Sequence, residues 1–188
     1  MTLKSSNLSE RMIKSDACIQ DGAAWLSARE PRFAHALLKT GPLPLRLRPD
    51  GFERLLNAIV SQQVSVAAAN AIWKRMETAG FINPETILSA SEEELRAAGL
   101  SRQKCRYAKA LSEADIDYEE LRSLTSEDII KRLTEVSGIG VWTAEIYAMF
   151  SLGRADVFAP GDLALQEAVR LLFELPERPK EKVLRTMS

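Results

Sequence analysis

Val136-Ser137-Gly138-Ile139-Gly140-Val141-Trp142-Thr143-Ala144-Glu145 is the stretch from which the fold can be read. An amphipathic run, Glu127 to Leu133, leads into it, and a second apolar run, Val141 to Phe150, leads out. Both runs have helical periodicity. The Gly-Ile-Gly corner lets the backbone double back between them, because glycine reaches positive φ without a Cβ clash. It also leaves amides bare at the start of the second helix, where they and the helix dipole suit a phosphate oxygen. A tight interhelical turn with no ligand fits the same residues.

Downstream the chain reads Asp156-Val157-Phe158-Ala159-Pro160-Gly161-Asp162-Leu163-Ala164-Leu165. An aspartate follows Pro-Gly and opens an apolar helix. Taken alone, Asp162 is an N-cap, worth about 1 kcal/mol. Hairpin, loop and aspartate together resemble the helix-hairpin-helix Gly-Pro-Asp superfamily of DNA base-excision glycosylases. The likeness is nearest to the alkylated-base (3-methyladenine type II) branch and runs from about Pro31 to Val183.

Upstream, Asp16 to Arg29 and Pro31 to about Gly41 read as helices, after a polar arm, Met1 to Lys14, with at most one helical turn. His35, the single histidine, reads as a half-buried helix residue. The proline-rich connector Gly41 to Pro49 is extended and its arginines read as solvated. Asp50 and Glu53 have capping-box spacing ahead of a helix with Phe52, Leu55, Leu56, Ile59 and Val60 on one face. That stripe breaks at Ser61-Gln62-Gln63-Val64-Ser65, a polar turn facing something wet. Ser65 caps the next helix, Val66 to Ala79, which Gly80 closes. Further short capped helices are predicted from Pro84, from Ser91-Glu94 to Gly99, and over Asp117–Arg122 and Ser126–Leu133. Arg102, Lys104, Arg106 and Lys109 make the densest basic patch, equally suited to solvent or phosphates. Cys105 within it has no partner base and reads as inert. A final segment spans Glu181 to Ser188, where relatives usually continue.

Nothing alternates with period two over strand length. The expected fold is therefore all-α. By resemblance it is a two-lobed bundle of about nine to eleven helices without a β domain. The whole chain is one glycosylase domain, with residues 50–135 as a central lobe, 15–48 and 136–188 as a second lobe, and 126–150 as the hairpin.

The 188 residues are 46% apolar and 27% charged, with formal net charge −1. That is an ordinary globular balance, and it excludes a whole-molecule attraction to nucleic acid; any DNA contact must be local. Cys18 and Cys105, the two cysteines, are too few for a disulfide framework or for the four-cysteine iron–sulfur cluster of some relatives. No apolar run is long enough to span a membrane and no signal peptide is evident. The expected setting is intracellular, cytoplasmic or nucleoid if bacterial, and the expected state a monomer.

The resemblance implies a monofunctional DNA glycosylase acting on double-stranded DNA with damaged bases. It would flip out and hydrolyse alkylated purines of the 3-methyladenine and 7-methylguanine type, leaving an abasic site. Such an enzyme must unstack its target, because the glycosidic bond is inaccessible inside a duplex. The resemblance makes Asp162 the catalytic carboxylate, stabilising an oxocarbenium-like sugar and orienting water. It puts Trp142, Ile146 and Gln62 at the base pocket and Gln63 at the wedge that fills the gap left by the base. Phosphate binding falls to Gly138, Gly140, Val141 and Thr143. Trp142 stands where the bifunctional glycosylase–lyases carry a Schiff-base lysine, which is why water is the expected nucleophile. No cofactor is required, but backbone carbonyls of Thr134, Val136 and Ile139 would hold a structural Na+ or K+. Two other readings fit the residues: a non-catalytic DNA-binding module keeping the hairpin, and a glycosylase for deaminated or mismatched bases.

Overall fold

A computed structural model describes residues 10–187 of the chain. In chain order its helices are α1 (Asp16–Arg29), α2 (Pro31–Thr40), α3 (Phe52–Ser61), α4 (Val66–Ala79), α5 (Pro84–Ser89), α6 (Glu92–Ala97), α7 (Arg102–Glu113), α8 (Tyr118–Ser123), α9 (Ser126–Thr134), α10 (Val141–Phe150), α11 (Leu163–Leu172) and α12 (Glu181–Met187). The twelve are one more than the sequence suggested. The only β pairing among the described residues is an isolated antiparallel bridge between Met12 and Arg154.

The chain divides into two compact units. Arg48–Ser151 is one, and the segments up to Leu47 and from Leu152 onward are the other. The division therefore falls after α10, not at residue 135, and keeps the whole hairpin with the central helices. The reason is packing: α10 lies against both α9 and α3.

Most of these helices start where a side chain can satisfy their first amides. Ser65 Oγ accepts from Ala68 N at 3.2 Å. Asn83 Oδ1 accepts from Thr86 N at 2.9 Å, ahead of a proline at the first helical position. Ser91 and Glu94 form a reciprocal capping box, and Asp117 Oδ1 takes the amides of Glu119 and Glu120. Gly80 closes α4 at φ 78. The expected Asp50–Glu53 box does not form. Gly51 is the N-cap of α3, and the Asp50 carboxylate instead meets Arg122 of α8, with Nε–Oδ2 at 2.7 Å and Nη2–Oδ1 at 2.9 Å. A bidentate guanidinium outcompetes a local amide for the same oxygens.

Arg48–Ser151 holds most of the core. Leu55, Leu56, Ile59 and Val60 of α3 are completely buried, and α3 packs on α4, α7 and α10. Ile72 and Met76, Ile87, Leu111, Ile129 and Leu133, and Tyr147 come in from the surrounding helices. Each such leucine or isoleucine is worth about 1.5–3 kcal/mol relative to exposure. Cys105 is also buried, and burial raises its pKa, as an inert thiol requires.

In the other unit α1 packs against α2, and α2 against α11. Phe33 and Phe173 meet edge to face at 6.3 Å. The arm before α1 does not make the helical turn allowed for it over residues 10–14: Ile13 N donates to Gly153 O at 2.7 Å and Ala155 N to Arg11 O at 3.0 Å. Residues 1–9 of that arm lie outside the described residues. No helix among the described residues is long and apolar enough to cross a membrane.

Candidate nucleic-acid interface

The hairpin corner is built tightly. Val136 N donates to Leu133 O at 3.1 Å and Ile139 N to Val136 O at 3.0 Å as α9 unwinds. Gly138 then takes φ 97, and a Cβ there would lie 2.4 Å from Tyr107 Cγ of α7. Gly140 differs: its φ is −86, and a Cβ would meet nothing within 4 Å. Only Gly138 thus needs the left-handed freedom assigned to the corner. Gly140 is the N-cap of α10, and its carbonyl accepts from Ala144 N at 3.0 Å. The amides of Gly138, Gly140, Val141 and Thr143 find no acceptor among the described residues. Main-chain amides left without acceptors around a helix start suit an anion. The Thr143 side chain is buried, so only its amide is on offer.

The polar turn after α3 is fixed to this corner. Gln62 Nε2 donates to Gly138 O at 2.9 Å. Gln63 follows, exposed and at φ 56, a strained conformation for a residue with a Cβ. On the other side, Lys104 Nζ donates to Val60 O at 2.7 Å. Lys104 is 9% exposed, and desolvation pulls its pKa down. A cation on the last carbonyls of α3 also suits the helix dipole. One helix, α7, therefore supports both turns, through Lys104 and Tyr107. The sequence placed Lys104 in a basic surface patch, yet its charge points inward. Arg102 in the same patch lies 3.6 Å from Glu92, which leaves Arg106 as its plainly exposed cation without an ion pair among the described residues.

Apolar side chains face water at both turns. Val66 is 78% exposed, Val141 48% and Trp142 45%. Ile146, one helical turn after Trp142, is half-buried. The neighbouring Tyr147 is buried, and its hydroxyl accepts from Gly51 N at 2.8 Å.

Asp162 belongs to the other unit. It is the N-cap of α11, half-buried, with Oδ1 accepting from Ala164 N at 2.8 Å and Leu165 N at 3.0 Å. Its own amide donates to Ala159 O at 3.0 Å, and Gln166 Nε2 ties the loop by donating to Pro160 O at 2.9 Å. Asp156, six residues before it, is exposed.

Among the described residues no group of three or more His, Cys, Asp and Glu side chains could hold a metal ion. The carbonyls proposed for a monovalent cation are a different donor set. Val136 O carries the Ile139 amide, while Thr134 O and Ile139 O accept no hydrogen bond among the described residues. Neutral carbonyl oxygens are donors that a hard cation accepts, and Val136 O keeps a second lone pair.

Residues 56–188 match the model of the HhH-GPD superfamily base excision DNA repair proteins. The chain belongs to this family. Its fold is that of the helix-hairpin-helix DNA glycosylases. DNA-3-methyladenine glycosylase 1 of Schizosaccharomyces pombe is 38% identical over 141 residues, covering 70% of this chain. The chain spans 62% of that relative's length. Among solved structures, an S. pombe 3-methyladenine DNA glycosylase in complex with abasic DNA superposes with TM-score 0.78 at 32% identity, over 88% of this chain and 86% of that one. A DNA-3-methyladenine glycosidase from Bacillus halodurans gives TM-score 0.77 at 33% identity, over 95% and 83%.

The sequence alone missed Lys104 and Tyr107 as supports and the Gln62–Gly138 bond. Each joins residues far apart in the chain, so no local spacing signals it.

Proposed function

We propose that this HhH-GPD protein is a monofunctional DNA glycosylase that removes alkylated purines of the 3-methyladenine and 7-methylguanine type from double-stranded DNA. The reading rests on Asp162, whose Oδ1 is anchored by two main-chain amides of α11. A carboxylate fixed in this way meets developing positive charge without reorganising. The names of the three relatives described above, DNA-3-methyladenine glycosylases or glycosidases, support the substrate class.

Each step draws on a different residue. The amides of Gly138, Gly140, Val141 and Thr143 grip a phosphate oxygen. Carbonyls of Thr134, Val136 and Ile139 would hold a Na+ or K+ that adds positive charge beside that phosphate. Gln63 enters the stack in place of the extruded nucleotide, its amide group able to hydrogen-bond the orphaned partner base. Trp142, with Ile146 beside it, receives the flipped base. An alkylated purine carries positive charge, and stacking it on an indole gains about 0.5–2 kcal/mol. Gln62 spends one amide hydrogen on Gly138 O, so it shapes the pocket wall and braces the wedge at once. The glycosidic bond then breaks, its electron pair leaving with the base. Asp162 stabilises the oxocarbenium-like sugar, and water adds to the sugar carbon and passes a proton to the Asp162 carboxylate, which returns it to solvent. Trp142 has no amine, so no Schiff base forms and the product is an abasic site.

Asp162→Asn separates this role from capping. Asparagine caps a helix as well as aspartate does, so thermal stability should stay within about 0.5 kcal/mol of the parent. Release of methylated purine from alkylated DNA should fall at least ~100-fold, for a contribution of about 3 kcal/mol to the transition state. Equal rates would remove Asp162 from the chemistry. Tight binding of abasic-site DNA with no base release by the parent chain would reduce the protein to a DNA holder.

A further inference from the structure

Arg54 of α3 is half-buried and has no ion pair or hydrogen-bonded acceptor among the described residues. Burial, and secondly the neighbouring Arg48 charge, both lower its pKa. Two guanidinium groups close enough to repel, one of them partly desolvated, cost free energy unless an anion joins them. The nearby acids do not supply it. Asp50 is taken by Arg122, and Glu53 is exposed and forms no ion pair among the described residues.

Both arginines line a concavity of about 590 Å³ at the start of α3. Asp50 and Glu53 share its walls, the first already held by Arg122, and the remaining polar lining groups complement an anion. Asn57 contributes an amide with no hydrogen-bond partner among the described residues, and Asn83, whose Oδ1 is held by Thr86 N, retains its NH2 donors. Phe52 and Trp73 supply flat apolar surface, and the indole is steadied by Trp73 Nε1 donating to Glu77 Oε1 at 2.8 Å.

We propose that this concavity binds a nucleotide, a phosphate joined through a sugar to a flat base, with Arg48 and Arg54 gripping the phosphate and the Asn57, Asn83, Phe52 and Trp73 walls holding the base. The charge-assisted fork of an arginine matches phosphate oxygens, and the volume exceeds that of one mononucleotide. The site lies past the opposite end of α3 from the Gln62–Gly138 bond, about 15 Å along the axis. It is therefore free to fill while the hairpin holds DNA, and it stands independently of the glycosylase reading.

The test is calorimetric titration of the full chain with 2′-deoxyadenosine 5′-monophosphate. The nucleoside without phosphate and a 5′-phosphorylated trinucleotide serve as further ligands. Saturable binding of the nucleotide is expected, weakened at least ~10-fold in Arg48→Ala and in Arg54→Met and at least ~10-fold for the bare nucleoside, as loss of a charge-assisted contact requires. Arg48 is exposed, so its variant keeps the fold, and Arg54→Lys should retain part of the affinity. Base release from methylated DNA should be the same in the Arg48 variant as in the parent. Equal or tighter binding of the trinucleotide identifies the source as a strand end; weaker binding identifies a free nucleotide. No saturable heat at millimolar nucleotide, or affinity unchanged in both variants, overturns the proposal.

Discussion

Gly138 has φ 97 and Tyr107 Cγ 2.4 Å from where a Cβ would sit, whereas Gly140 has φ −86 and open space around it. Alanine at the two positions therefore separates folding from binding. Gly138→Ala should cost about 2–4 kcal/mol in urea unfolding, from left-handed strain and a ring that must move. Gly140→Ala should be neutral within about 0.5 kcal/mol, yet weaken DNA binding if the proposed function holds, because a methyl group then stands among the amides proposed to grip phosphate. If the two variants unfold alike, the assignment of strain to Gly138 alone is wrong. Tyr147 offers a pH test at the same scale. Burial pushes its phenol up to about 12, against about 10 in an unfolded chain. A raised folded pKa means that this contribution to stability is complete below pH 10 and is lost as pH rises from 10 to 12. The urea midpoint should fall over that window, and fall less steeply in Tyr147→Phe. At neutral pH the phenylalanine variant should lose about 1–2 kcal/mol, since Gly51 N then lacks its acceptor.

Helix α7 is the element on which both turns of the interface lean. Its Lys104 Nζ holds Val60 O at the end of α3, and its Tyr107 ring fills the space that Gly138 leaves by having no Cβ. Lys104→Met should cost about 1–2 kcal/mol, a charge-assisted hydrogen bond less the desolvation it relieves. It should also slow base release more than Arg106→Met, although Arg106 is the exposed cation. Stopped-flow fluorescence of 2-aminopurine beside the lesion would locate the defect in flipping, since the variant touches the support of Gln63 and not Asp162. Gln62→Ala should behave similarly by freeing the turn from Gly138 O. Equal flipping rates in Lys104→Met and Arg106→Met would show that the brace has no such role. The same helix marks where reading the sequence stopped working. Ser65 and Ser91 were legible as caps because each satisfies an amide three residues away. The hairpin was legible because its glycines and flanking apolar runs are contiguous. Asp50 was misread as half of a local box, since Arg122, 72 residues on, takes its carboxylate. Lys104 looked like surface charge because nothing within its own helix announces the carbonyl of Val60. Asp162 was singled out by its sequence spacing from the hairpin, and its local geometry, an N-cap with two amides, is what any capping aspartate shows.

At the scale of the whole molecule the question is what would draw it to the DNA of the proposed reaction. The formal net charge is −1, and many arginines already face carboxylates: Arg122 with Asp50, Arg132 with Glu135, Arg170 with Glu167, Arg185 with Glu181. Surface pairs of this kind add little stability, but they cancel the long-range field that would steer a polyanion. At the two turns themselves what remains is local: main-chain amides at the α9–α10 corner, exposed apolar residues such as Val66, Val141 and Trp142, and Gln63 at φ 56. Amides carry no counterions to displace and release none from the protein side. Each lysine or arginine set on a phosphate releases close to one from DNA, so affinity measured against salt counts such contacts. A plot of log K against log salt for abasic-site DNA should therefore have a shallow slope, about −2 to −3, where a strongly basic repair protein would give −6 or steeper. The association rate should likewise change little between low and physiological salt. A slope of −6 would mean that cations dominate the contact, and would move the centre of recognition away from the glycine corner.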